Sequence, residues 1–377
     1  MSTSEIQEYF QSREEAIVGL IKEIVEIESP SCDVERSRDV AQWVENESRK
    51  IDLGLQIEKI PAERFGEHLI IRAFPSEEKG TLVLGHTDTV HPVGTKLANP
   101  TRIEDGKLYG CGTFDMKANI VLALETLRYF AENGIRTQPI TILLSCDEEV
   151  GSETGREHVE RFAAEATRCL VLEPSAAGKV KTGRKGTGMY TVRAHGIPAH
   201  AGLEPEKGAS AIRELAKHTE SIDSLSAPEI GTTVNVTTIK GGTTSNTIPE
   251  FAECAVDVRF STLAEAKRID EEIHRLKPFD NRVSLEIIGG INRPPMERRD
   301  SVAALYERAR ELAASFDYKL GETQVGGASD GNFVAALGVP VLDGLGLAGD
   351  GAHTLHEYIY INDIAKRATL LTLLLSN

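Results

Sequence analysis

The chain has little with which to cross-link itself. Its five cysteines, Cys32, Cys111, Cys146, Cys169 and Cys254, are odd in number, widely spaced and without a CxxC pair. That usage argues against a disulfide framework and against a thiolate zinc site. Long apolar runs are missing too, since none approaches the ~20 residues that a membrane-spanning helix needs. The first residues lack the basic stretch and apolar segment of a secretory leader. Basic residues are in deficit, with Lys+Arg 42 against Asp+Glu 58 and a net charge of -16. Nucleic acid and anionic membrane are therefore not expected as partners, because both demand clustered Lys and Arg. These absences predict a cytoplasmic protein and leave a small-molecule substrate open.

What is present is a chain of 377 residues, long enough for two domains. Residues 5–27 and 39–50 read as helices, and 55–60, 68–74 and 81–85 as strands. A long helix over 117–133 is stopped by Gly134, as a glycine C-cap would do. Residues 139–146 and 168–173 are short, nearly continuous apolar strands separated by a polar helix over 153–166. Strands of that kind are usually buried on both faces of a parallel sheet.

From about residue 183 the texture changes to period-2 alternation, with strands at 189–195, 232–240, 251–260 and 283–288 and helices at 207–218 and 263–276. The order βαββαβ predicts a ferredoxin-like antiparallel module. A helix over 302–316, a strand near 339–343 and a terminal helix over 361–375 return to the first texture. The predicted fold class is α/β: a discontinuous domain (residues 1–182 and 292–377) with a mainly parallel sheet and helices on both faces, plus an inserted ferredoxin-like α+β domain (183–291).

His86, the pair Glu148-Glu149 and Glu173 each follow an apolar strand, at the edge where open parallel sheets bind their ligands. Asp115 and His353 occupy comparable loop positions. Imidazoles and carboxylates are the donors that hold zinc. Taken singly, each has an ordinary explanation. Asp115 at the mouth of the long helix suits an N-cap, and 147–149 suits a solvated acidic turn. Their joint placement points to a metal centre, in which a loop aspartate can bridge two ions. Asp88 points the same way as His86 on a strand and is placed to fix the imidazole tautomer. Adjacent side chains diverge in an extended segment, so one of Glu148 and Glu149 can ligate while the other faces an attacking water.

The segments Gly85-His86-Thr87-Asp88-Thr89-Val90, Gly112-Thr113-Phe114-Asp115-Met116-Lys117, Asp147-Glu148-Glu149 and Glu173-Pro174 resemble those of a dizinc hydrolase family. That family includes acetylornithine deacetylase, succinyl-diaminopimelate desuccinylase, aminoacylase and glutamate carboxypeptidase. Later motifs agree in order: Gly196-Ile197-Pro198-Ala199-His200-Ala201-Gly202, Ser245-Asn246-Thr247-Ile248-Pro249, Asp257-Val258-Arg259, and Gly351-Ala352-His353 before Glu357-Tyr358.

The resemblance implies two Zn2+, with Co2+ or Mn2+ as alternatives that His and carboxylate donors do not exclude. It implies His86, Glu149, Glu173 and His353 as ligands, Asp115 as the bridge, and a cis peptide bond at Asp115-Met116. Glu148 would be the general base, Asp88 would orient His86, and His200 would stabilise the oxyanion. The inserted domain would act as lid and as the surface of a homodimer across which His200 reaches. Substrates would be small N-acyl amino acids or short peptides with a free carboxylate. Arginine is the side chain best shaped to clamp that group, which makes Arg259 and Arg293 candidates, with Asn246 as a hydrogen-bonding neighbour.

The segments 292–295, 326–331 and 345–349 are most similar to the glutamate carboxypeptidase branch. The expected activity is therefore a carboxypeptidase that releases a C-terminal Glu-like residue. An N-acyl-amino-acid deacylase of the acetylornithine deacetylase or desuccinylase type is the alternative. A non-catalytic metal-dependent binding protein is the alternative of another class, but it should have lost the base or a ligand, and none is lost.

Gly327-Ala328-Ser329-Asp330-Gly331 also matches the G-x-S-x-G elbow, with Asp350 and His353 following in serine-hydrolase order. Too little chain follows Ser329 to complete such a fold, and the acidic set would go unexplained. The run 183–188 lacks the glycine order of a P-loop and reads as a domain-junction turn. His91, His158, His195, His218, His274 and His356 read as structural or surface residues.

Overall fold

The strand Gly80–His86 is buried at every position, and its neighbours follow from that. In the computed structural model, which describes residues 2–376, it pairs in parallel with Ile140–Ser145 on one side and Ala166–Val171 on the other. Val341–Leu342 adds in parallel beyond Ala166–Val171. Gly66–Ala73 and Gln56–Ala62 extend the opposite side antiparallel. The result is a six-stranded, mainly parallel sheet. Helix Ala118–Glu132 buries residues all round its circumference, among them Ile120, Val121, Leu124, Leu127 and Phe130, as a helix enclosed by other elements must. Glu14–Glu26 and Ile364–Ser376 pack into the same apolar core, where each fully buried aliphatic side chain contributes ~1.5–3 kcal/mol.

The chain packs as two units. The first comprises the chain up to Gly183, Arg298–Val325 and everything from Ser329; the second comprises Arg184–Glu297 with Gly326–Ala328. In the second, four antiparallel strands lie in the order Thr233–Gly241, Phe251–Phe260, Gly186–His195, Ser284–Arg293. Strict alternation in Phe251–Phe260 buries Ala252, Cys254, Val256, Val258 and Phe260 on one face, the period of 2 expected of a half-covered sheet. Leu215 and Ile222 of helix Ala211–Asp223, and Ile269 and Ile273 of helix Leu263–His274, belong to the same core. This is the βαββαβ module that the alternation predicts.

Several local expectations need correction, among them the helix predicted over 39–50, which is Val34–Arg49 with the Asp33 carboxylate capping it. The single helix predicted over 5–27 is two, Thr3–Ser12 and Glu14–Glu26. Arg13 sits between them, its Nε 2.7 Å from the buried Glu125 carboxylate. The apolar stripe runs on through the joint (Ile6 and Phe10, then Ile17, Ile21 and Ile24), so periodicity cannot register a one-residue break. The helix predicted over 207–218 begins at Ala211, because the Ser210 hydroxyl accepts the Arg213 N–H and caps it. The long helix begins at Ala118 rather than at Lys117, after an irregular turn Thr113–Lys117. Among the described residues no helix is long and apolar enough to cross a membrane.

Candidate metal centre

His86 closes its strand only 1% exposed. Its Nδ1 lies 3.0 Å from the backbone carbonyl of Asp88, and a carbonyl only accepts, so Nδ1 carries the proton. Nε2 then faces Asp115 Oδ1 at 3.1 Å and Glu173 Oε1 at 3.5 Å. On the other side, His353 Nε2 lies 3.1 Å from Glu149 Oε2 and 3.5 Å from Asp115 Oδ2. Asp115 thus turns one oxygen to each histidine. Two donor sets result, His86/Asp115/Glu173 and Asp115/Glu149/His353, each with its ligand atoms within 4.8 Å of one another. Asp115 does not cap the helix; its carboxylate is used here. The Asp115–Met116 peptide bond is cis. His353 holds φ at 64°, a left-handed conformation uncommon outside glycine and concentrated at functional sites.

The electrostatics ask for positive charge at this spot. Burial disfavours the charged form of His86, yet hydrogen bonds to Asp115, Asp88 and Glu173 lift its pKa well above the ordinary imidazole value. Hydrogen bonds to Asp115 and then Glu149 push His353 up to about 10. Burial would raise the Asp115 carboxyl, but His353 and His86 hold it well below the usual range. Glu149 is raised, chiefly by burial, and its Oε1 is buried with no hydrogen-bond partner among the described residues. Three carboxylates and two imidazoles with an unserved buried oxygen fit divalent cations, whose charge would relieve every one of these imbalances.

Several buried groups set this geometry, and pattern reading missed most of them. Asp88 does more than face His86: its Oδ1 accepts the Glu148 N–H at 3.2 Å and its Oδ2 the Glu149 N–H at 3.1 Å. Asp330 accepts from Ser145 Oγ at 2.9 Å and from Ser152 Oγ, tying the end of a strand to the turn that carries Glu148 and Glu149. Glu357 is wholly buried and accepts the N–H groups of Gly112, Phe114 and Asp115. His91, expected to be structural or at the surface, is buried against Glu357 at 2.8 Å. Glu357 lies in a motif quoted above, but nothing in its spacing signals what it holds.

Ser329 has no nucleophile's setting. It is buried, its hydroxyl donates to Asp343 Oδ2 at 2.7 Å, and it accepts the Gly331 N–H.

The remaining candidates lie on the second unit. His200 is exposed, and its Nδ1 accepts the N–H groups of Gly202 and Leu203, each at 3.2 Å. That leaves the proton on Nε2, a donor facing outward. Asn246 lies beside it, its backbone carbonyl accepting the Ala201 N–H at 2.9 Å. Arg259 and Arg293 pair with Thr187 from opposite sides. The Arg259 guanidinium is engaged by Asp257 in a two-point contact of 3.0 and 2.8 Å, while Arg293 is buried.

The sequence profile of peptidase family M20/M25/M40 matches residues 82–377. The chain is 30% identical over 364 residues to carboxypeptidase G2 of Pseudomonas sp. (strain RS-16), covering 93% of this chain and 86% of that protein. It is 27% identical over 283 residues to succinyl-diaminopimelate desuccinylase of Corynebacterium glutamicum, covering 71% and 73%. Its fold is similar to that of the aminopeptidase PepT from Bacillus cereus, with a TM-score of 0.75 at 22% identity over 96% of this chain and 98% of that one.

Proposed function

This chain belongs to peptidase family M20/M25/M40, and from that premise we propose which bond it cleaves and which residues do so. It is a metal-dependent hydrolase of peptide or amide bonds. Our reading is a dizinc carboxypeptidase that releases a C-terminal Glu-like residue from a short peptide or a small N-acyl amino acid. The observation that carries it is the Asp115 carboxylate, which offers one oxygen to each of two donor sets. The 30% identity to carboxypeptidase G2, over an alignment that covers 93% of the chain, supports the carboxypeptidase branch. The 27% identity to a desuccinylase keeps the N-acyl-amino-acid deacylase as the second reading.

His86, Asp115 and Glu173 would hold one zinc, and Asp115, Glu149 and His353 the other. Two such ions, when bound, supply Lewis acidity to the scissile carbonyl and lower the pKa of water. Glu148 is the base. It takes the proton from the attacking water and returns it to the departing nitrogen, a transfer that contributes typically ~10²–10⁴-fold. Asp88 supports that role by anchoring the backbone N–H of Glu148 at 3.2 Å. His200, with its proton on Nε2, donates to the oxygen on which negative charge develops. Arg293, Arg259 and Asn246 make up the pocket for the free carboxylate, with Arg293 as its main clamp.

A homodimer through residues 183–291 completes the reading. It is supported by the exposed edge strand Thr233–Gly241 of the second unit's sheet, an edge of the kind that seeks a pairing partner. A cytoplasmic setting is supported by five free cysteines.

The deciding experiment is hydrolysis of a panel of N-acyl amino acids and dipeptides, before and after chelation and with zinc restored. Zinc-restored release of C-terminal glutamate is the expected result. Zinc-restored activity confined to acetyl or succinyl amino acids would move the assignment to the deacylase reading. No hydrolysis with any metal would overturn both.

A further inference from the structure

Glu357 is 0% exposed, yet it is a carboxylate. A buried carboxylate is costly unless its oxygens are hydrogen-bonded. Here both are used fully. Oε1 accepts the N–H groups of Phe114 and Asp115, each at 2.8 Å. Oε2 accepts the Gly112 N–H at 2.8 Å and faces His91 Nε2 at 2.8 Å. An ionised carboxylate has about four acceptor sites, and all four are taken.

Three of those four partners belong to the turn that presents Asp115. Gly112 adopts φ +72°, and a Cβ there would meet Thr89 Cγ2 at 2.6 Å, so the turn that brings its N–H groups to one carboxylate favours glycine at that position. The donor of the carboxylate is equally telling. Glu357 stands four residues after His353 in sequence and immediately before the strand Tyr358–Tyr360, which pairs with Lys107–Tyr109. The backbone carbonyl of Glu357 also accepts the Gly110 N–H at 3.3 Å. One residue therefore fastens the Asp115 turn to the segment that delivers His353, the two side chains that meet at 3.5 Å.

We infer that Glu357 is a positioning residue of the metal centre, a carboxylate template that sets Asp115 against His353. The inference rests on the metal-centre reading above. It makes a selective demand. The Asp115/Glu149/His353 set depends on both elements that Glu357 joins, whereas His86/Asp115/Glu173 depends on one. Losing the template weakens the first set more than the second.

The test is Glu357→Gln, which keeps the shape but turns an NH2 group toward N–H donors whichever way the amide sits. Metal-free wild type and variant are titrated with Co2+ alone, read by calorimetry and by visible absorption, after circular dichroism has verified the fold. Wild type is expected to bind two equivalents. In the variant one equivalent should weaken by about 10–100-fold, the usual cost of losing an outer partner of a metal site, with an altered absorption band, while the other changes less. A merely structural role would lower the melting temperature and leave both affinities alone. A folded E357Q with both affinities at wild-type values would overturn this inference while leaving the metal centre standing. A wild type that binds no Co2+ would overturn the metal centre and this inference with it. If E357Q does not fold, His91→Phe removes one of the four partners and should weaken the same equivalent by a smaller factor; unchanged Co2+ binding there would overturn the inference as well.

Discussion

The carboxylate of Asp88 holds the backbone N–H of Glu149 at 3.1 Å through one oxygen, and its other oxygen holds the N–H of Glu148. Ser31 Oγ supplies a further donor to the first oxygen at 2.7 Å. The His86 Nδ1–H donates to the Asp88 main-chain carbonyl at 3.0 Å, while the carboxylate stands off at 3.4 Å. A single residue therefore aligns a candidate ligand through its backbone and the turn bearing the candidate base through its side chain.

Asp88→Asn tests that division. The amide keeps one acceptor oxygen and places an NH2 against an N–H that needs an acceptor, so the Glu148-Glu149 turn shifts while the His86 contact survives. We expect kcat to fall by about 10–100-fold, the range seen for outer partners of metal sites, with KM within a few-fold of wild type. Steady-state kinetics on the best panel substrate check this, and a drop confined to KM would contradict it.

Glu148 has the most direct prediction. Removing the proposed base by Glu148→Ala leaves every proposed ligand in place, so metal content measured on the purified variant should match wild type. Turnover should fall by at least the ~10²–10⁴-fold that a positioned proton carrier supplies. A near-wild-type rate would remove Glu148 from the reaction.

How much of this was legible in the sequence depends on the kind of signal. Period-2 alternation in 251–260 and continuous apolarity in 81–85 express burial directly, and both strands are where those patterns put them. The ligand candidates were readable because strand ends converge on one edge of a parallel sheet. Asp88, Asp330 and Glu357 act through backbone N–H groups or through hydroxyls brought in from distant segments. Glu357 and Asp115 are 242 residues apart, and no periodicity spans that distance. The break at Arg13 was hidden for the opposite reason: both flanking helices keep the same apolar stripe, and only the ion pair to Glu125 marks the joint.

The two arginines proposed for the substrate carboxylate are not equivalent. Arg259 is already engaged on two points by Asp257, a geometry that uses the guanidinium fork. The main clamp proposed above is Arg293, which is buried. Arg293→Ala should raise KM for an N-acyl-glutamate far more than for its α-amide, whereas Arg259→Ala should affect the two substrates alike. Loss of a charge-assisted hydrogen bond of ~1.5–3 kcal/mol corresponds to a difference of roughly 10–150-fold in kcat/KM, taking 1.4 kcal/mol per decade. Equal effects of Arg293→Ala on both substrates would place the clamp elsewhere.

The second unit carries a pH dependence of its own. His218 is buried, its Nε2 lies 3.0 Å from Glu214 Oε1, and Phe279 packs against the ring at 4.7 Å. Glu214 accepts the N–H groups of Phe279 and Asp280 as well, so Nε2 is the protonated nitrogen of a neutral ring. Nδ1 is buried without a partner among the described residues, and a second proton there would find no acceptor. Burial accordingly lowers the His218 pKa below the ordinary 6.5, outweighing the opposing pull of Glu214, and Lys217 adds in the same direction. With the folded pKa depressed, the unfolded chain binds more protons once the pH drops below 6.5, so stability is lost on acidification and is unaffected well above that value. In the metal-free protein the raised His86 and His353 pull the other way, so the acid-induced drop that belongs to His218 is read as the difference between wild type and a His218 variant in the change of melting temperature from one unit above 6.5 to one unit below it. His218→Gln keeps an N–H for Glu214 but cannot take up a proton, so it should shrink that acid-induced drop. An identical drop in wild type and H218Q would show that the acid sensitivity arises from other groups.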